Sequence, residues 1–116
     1  MKNTRINYLY RDASNYKQYN HAILAGEFKK EDLDFIYSVQ DCEFFIPEQV
    51  GLPCDRFDDI TEDDHCWCEY LPEEDTSLTD EEPDVDISWA QLMDNYRKVK
   101  ETGWNEAKYT LEVGIA

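Results

Sequence analysis

The sequence predicts an α+β fold: a small antiparallel sheet carrying two helices and a long acidic loop, in a single domain of 116 residues. Three observations predict it. Alternating apolar residues near the N-terminus give two strands joined by a turn. A 3.6-period apolar stripe over residues 89–99 gives a helix. Between Asp41 and Asp86 the chain packs 18 acidic residues against a single base, Arg56. That segment has a net charge of −17, while residues 1–40 carry +1 and residues 87–116 carry none, for a total of −16. A near-neutral frame thus holds one anionic segment, whose field repels itself and steers cationic partners toward it.

Each element follows from local chemistry. Ile6, Tyr8 and Tyr10 fall on one face of an extended run, with Asn7, Leu9 and Arg11 on the other. Asp12-Ala-Ser-Asn15 is turn chemistry, because short Asx and Ser side chains bond the nearby backbone. A second run from Tyr16 to Ala25 puts Tyr19, His21 and Ile23 on one side and stops at Gly26, completing an antiparallel hairpin. From Glu31 to Gln40 the pattern is helical: Leu33, Ile36 and Tyr37 share a face, and Glu31 and Asp32 suit the positive end of the helix dipole. Within the acidic segment, Glu43–Ile46 and His65–Tyr70 are short strand candidates. Pro72–Asp86, acid-rich and holding two prolines, is expected to be a mobile solvated loop.

The helix that follows is the most fully specified element. Ser88 and Gln91 form a capping box, and Ile87 and Leu92 occupy the two staple positions. Trp89, Leu92, Met93, Tyr96 and Val99 make the apolar stripe, and Arg97, Lys98 and Lys100 lie near the negative end of the dipole. Gly103 is placed for the left-handed C′ position, with Trp104 folding back on Val99. Ala107, Tyr109, Leu111 and Val113 then alternate with Lys108, Thr110 and Glu112, which reads as a closing strand.

Composition narrows the function classes. With 41% hydrophobic residues, including 8 Tyr, 5 Phe and 3 Trp, the chain has material for a real core. It has neither a run of 18 apolar residues nor a charged-then-apolar leader, so the expectation is a soluble cytoplasmic protein. Its charge disfavours direct contact with nucleic acid or an anionic membrane. A basic protein surface is the expected partner. The residues expected to bind it are Asp58, Asp59, Glu62, Asp63 and Asp64, then Glu73, Glu74 and Asp75. The second group is expected to matter less, because a mobile loop loses conformational freedom on binding. Duplex DNA carries about one charge per 1.7 Å, so 17 net charges would match roughly 29 Å of duplex if all were displayed on one surface. The competing reading is that the acids only keep the chain in solution.

Other chemistries find less support. A calcium loop needs a glycine at its sixth position, which neither 55–66 nor 75–86 has. Zinc knuckles use two to four residues between cysteines, and Cys66-Trp-Cys68 has one. On a strand, Cys66 and Cys68 share a face and His65 points away, which disfavours both a zinc site and a Cys–His dyad. With Cys42, Cys54, Cys66 and Cys68 expected as thiols, no cofactor, metal site or catalytic residue is assigned. A thiol- or zinc-dependent regulatory module built on Cys54, Cys66 and Cys68 is the alternative from another class.

Three stretches carry a resemblance: Ile6-Asn-Tyr-Leu-Tyr-Arg-Asp12 with Asn15-Tyr-Lys17, Phe45-Ile-Pro47 with Val50-Gly-Leu-Pro53, and Arg56-Phe-Asp58 before Thr61-Glu-Asp-Asp-His65. They resemble a family of small acidic bacterial proteins found in Firmicutes and their mobile elements. The family has no assigned activity, so the resemblance implies no residue roles. It implies a bacterial or phage setting, where small acidic inhibitors of restriction and CRISPR enzymes act by occupying nucleic-acid-binding surfaces. On that analogy the chain is expected to be a non-enzymatic interaction protein of the inhibitor or nucleic-acid-mimic type.

Overall fold

The computed structural model describes residues 2–12, 14–55 and 65–112. Their architecture is α+β, with five strands in one antiparallel sheet. Strand β1 (Asn3–Arg11) is its axis. On one side β1 pairs along its length with β2 (Lys17–Leu24), in a register that sets Tyr8 against Asn20 and Leu9 against Tyr19. On the other side two elements share the edge. Strand β5 (Thr76–Thr79) pairs with Asn3–Ile6, and β4 (Cys68–Glu69) meets β1 at Leu9 and pairs onward with β3 (Phe44–Phe45).

The period-2 pattern decides which face is buried. Thr4, Ile6, Tyr8 and Tyr10 point into the core together with Ala22 and Leu24 of β2. Two helices bring the other half of that core: α1 (Lys30–Val39) contributes Leu33 and Ile36, and α3 (Trp89–Thr102) contributes Trp89, Leu92, Met93, Tyr96 and Val99. Burial of each such side chain is worth about 1.5–3 kcal/mol, so α3 is the largest single contributor outside the sheet. Its start is as the sequence dictates. Ser88 Oγ accepts from Gln91 N at 3.2 Å, and Gln91 Oε1 accepts from Ser88 N at 2.8 Å. Helix α1 begins one residue earlier than expected. It is capped by Asp32, which accepts from the Lys29 N–H at 3.0 Å and also from Trp89 Nε1 at 2.8 Å, joining the two helix starts.

Three expectations need correction. Residues 106–112 form a helix, α4 (Glu106–Glu112), and not a closing strand. Asn105 Oδ1 accepts from Lys108 N at 3.1 Å, an N-cap that outweighs the alternation of Ala107, Tyr109 and Leu111. The acidic loop is shorter than 72–86. Pro72–Asp75 forms a helical turn, α2, with proline in the first turn, where its missing N–H costs nothing, and Thr76–Thr79 forms β5. Gly103 has φ +82° as a helix-ending glycine should, but its ψ of 170° is extended and not left-handed helical. Trp104 accordingly swings over Tyr96 and Trp67 and donates from Nε1 to Val39 O at 3.0 Å.

Among the described residues, no helix is long and apolar enough to cross a membrane.

Candidate acidic binding surface

The sheet register builds the floor of the site. Tyr19, Leu9, Glu69 and Phe44 occupy successive partner positions across β2, β1, β4 and β3, on the face away from the helices. Tyr19 is 76% exposed and Phe44 is 41% exposed. Over Tyr19, Leu9 and Glu69 of this row lies a groove of about 320 Å³, walled by Leu71 and by the carboxylates of Glu43, Glu69 and Asp75. Leu71 also lines a second groove of about 300 Å³ between α1 and α2. There the floor is Leu33 and Pro72, the wall is Tyr37 at 51% exposure, and the acids are Asp34, Glu73 and Glu74. Six carboxylates therefore surround two apolar grooves that meet at Leu71. Among the described residues neither lining includes a lysine, arginine or histidine.

A buried network ties together the backbone segments that carry these acids. Gln40 Nε2 donates to Tyr70 O at 2.9 Å and Gln40 Oε1 accepts from Tyr96 Oη at 3.0 Å, tying α1, α3 and the end of β4 together. Tyr70 N donates to Glu43 O at 2.9 Å, and Tyr70 Oη is hydrogen-bonded to Thr76 Oγ1, which brackets α2. Burial pushes the phenols of Tyr8, Tyr70 and Tyr96 well above the ordinary tyrosine value, so these groups act as neutral donors beneath the surface.

The carboxylates divide by what holds them. Glu69 pairs with Arg11 Nε at 3.0 Å, and Asp75 folds back to accept from Leu71 N at 3.0 Å. Asp34, Glu43, Glu73 and Glu74 have no ion-pair or side-chain hydrogen-bond partner among the described residues. Farther along, residues 80–84 are stitched to the hairpin. Lys2 pairs with Asp80 at 2.7 Å, Arg5 with Glu81 at 3.1 Å and His21 with Asp84 at 3.0 Å. Asp84 also accepts from the buried Ile23 N at 2.7 Å, and its own N–H donates to Ile23 O at 3.1 Å.

Of the residues expected to bind a partner, Asp58, Asp59, Glu62, Asp63 and Asp64 lie outside the described residues. Glu73, Glu74 and Asp75 lie on α2, at the rim of the grooves. The expectation that they sit in an unstructured loop does not hold, and with it goes the ordering cost assigned to them. The sequence reading missed Asp34, Glu43 and Glu69 as members of the same surface, along with the exposed Tyr19 and Tyr37 that lie among them. The available signal was Leu9 and Tyr19 on the outward side of the hairpin, where an apolar residue has no core to enter.

The cysteines do not converge as a set. Cys54 Sγ lies 3.0 Å from Cys68 Sγ, while Cys66 Sγ turns toward α4, 3.6 Å from Thr110 Oγ1. His65 Nε2 lies 2.7 Å from Arg11 O. Among the described residues, no group of three His, Cys, Asp or Glu side chains is gathered as a metal site would require.

No protein-family model matches the sequence, and no curated protein or solved structure matches it either.

Proposed function

We propose that this chain is a non-enzymatic binding protein whose acidic grooves receive the basic surface of a nucleic-acid-binding protein. The observation that carries the reading is the pair of joined apolar grooves, walled by six carboxylates with no base among the described lining residues. Exposed acids alone are compatible with solubility. Acids set around uncovered Tyr19 and Tyr37 are suited to a partner that brings both positive charge and apolar side chains, because aromatic residues supply most of the anchoring energy of interfaces. Carboxylates have the sign of phosphate, so a surface evolved to hold a nucleic-acid backbone would accept them. Inhibition by occupancy follows: the partner's groove is filled and no chemistry is needed.

The test is capture from a bacterial lysate on the immobilised chain at low salt, followed by elution with duplex DNA or with salt. The reading expects a basic nucleic-acid-binding protein that duplex DNA displaces and that is lost steeply as salt rises, since exposed charges are screened over about 8 Å at physiological ionic strength. A partner indifferent to both eluents would contradict it.

A further inference from the structure

Cys54 and Cys68 form a thiol pair whose placement the fold dictates. Cys54 lies in the extended segment after the 3-10 turn Pro47–Val50, and Cys68 lies on β4 within the sheet. Their sulfurs are 3.0 Å apart, and neither is in a disulfide. Two side chains from one cross-strand pair hold this arrangement from either side of Cys54. Tyr8 Oη donates to Pro53 O, and Asn20 Oδ1 accepts from Asp55 N at 2.7 Å while its amide donates to Asp55 O at 3.1 Å. The same amide lies 3.7 Å from Cys54 Sγ. Cys54 is half-buried and Cys68 is buried, so an oxidant reaches Cys54 first.

We propose that Cys54 and Cys68 are a reversible dithiol site that closes into an intramolecular disulfide by exchange with a small-molecule disulfide of the glutathione type. The Cys54 thiolate attacks one sulfur of the oxidant, forming a mixed disulfide and expelling one small thiolate. The Cys68 thiolate then attacks the Cys54 sulfur and expels the second. Two protein thiols are oxidised, one small disulfide is reduced to two thiols, and the two protons leave with the released thiols. The bond would close a 15-residue loop from 54 to 68 that holds Asp55, Asp58, Asp59, Glu62, Asp63 and Asp64. It would cross-link the two ends of the densest acidic stretch. Cys42 is exposed in the turn before β3, and Cys66 faces α4, whereas Cys54 and Cys68 face each other. The inference is independent of the proposed function.

The experiment treats the full chain with oxidised glutathione, then titrates thiols in denaturant and maps the products by mass. Expected are a fall from four thiols to two, an intact mass lower by two hydrogens, a cross-link between the peptides holding Cys54 and Cys68, and a rise in Tm that dithiothreitol reverses. Cys68→Ser is expected to trap glutathione on Cys54, and Cys42→Ser to leave closure intact. Should Cys68→Ser fail to fold, Cys54→Ser, at the half-buried position, must abolish closure. Four thiols surviving, a stable glutathione adduct on Cys54 of the wild-type chain, or a cross-link involving Cys42 or Cys66 would overturn the proposal.

Discussion

The two ends of the acidic segment that the structure describes differ in how their charge is held. At residues 80–84 the frame answers three of the four acids: Lys2, Arg5 and His21 pair with Asp80, Glu81 and Asp84, and Ile23 N is satisfied by Asp84. At α2 and its surroundings, Glu73, Glu74, Glu43 and Asp34 stand around apolar grooves with no cation among the described lining residues, and Arg11 meets only the Glu69 of that wall. Two of the bases in residues 1–40, Lys2 and Arg5, are thus engaged at 80–84, while at the grooves Arg11 answers only Glu69 and the other acids keep their field. Net charge alone conceals this. Local pairing, not the total of −16, determines where the field of the acids is left unanswered.

The strongest perturbation should remove the support under both ends together. Tyr8, Tyr70 and Tyr96 are held neutral by burial, with folded values raised above the unfolded tyrosine value of about 10. A raised folded value means a contribution that is complete below about pH 10 and lost as pH climbs through the raised values. Alkaline titration should therefore show the share of tyrosinate absorbance that belongs to the three buried phenols rising in step with loss of near-UV circular dichroism. Ionisation of buried tyrosines without unfolding would show that these phenols reach solvent in the native state.

Next in size is a test confined to the paired end. Asp84→Ala leaves the buried Ile23 N–H without its acceptor and should cost about 2 kcal/mol of stability. Asp84→Asn, which keeps an oxygen in that place, should recover much of it. Equal denaturation midpoints for Asp84→Ala and wild type would mean that the stitching of 80–84 is incidental. The smallest stability effect belongs to the other end. Glu73→Gln with Glu74→Gln should change stability by less than about 0.5 kcal/mol, in the stabilising direction if at all, since exposed like charges repel. A clear loss in a urea melt would show that these acids serve the fold.

Much of the frame was legible because its signals are local. The capping box at Ser88, the stripe from Trp89 to Val99 and the alternation of Ile6, Tyr8 and Tyr10 each need only neighbouring residues. Failures came where a local pattern met a competing term. At 107–111 alternation suggested a strand, but Asn105 caps a helix; at 72–79 acidity suggested a loop, but Pro72 opens a helical turn and β1 offers an edge to Thr76–Thr79. The grooves were not legible at all as a site. They join residues from β1, β2, β4, α1, α2 and the approach to β3, and only the register of Leu9 with Tyr19 and Glu69 shows that one surface results.

The central claim is that the unpaired end, and not the paired one, receives a cationic partner. It is tested most directly by fluorescence anisotropy of a labelled arginine- and leucine-containing peptide titrated with two variants at low salt. One carries Asp34→Asn, Glu43→Gln, Glu73→Gln and Glu74→Gln; the other carries Asp80→Asn, Glu81→Gln and Asp84→Asn. Circular dichroism establishes that both are folded. The first should lose at least about tenfold in affinity, equivalent to about 1.4 kcal/mol. The second should stay within about threefold of wild type, because its carboxylates are already engaged by Lys2, Arg5 and His21. Equal losses in the two variants, or a larger loss in the second, would contradict the account.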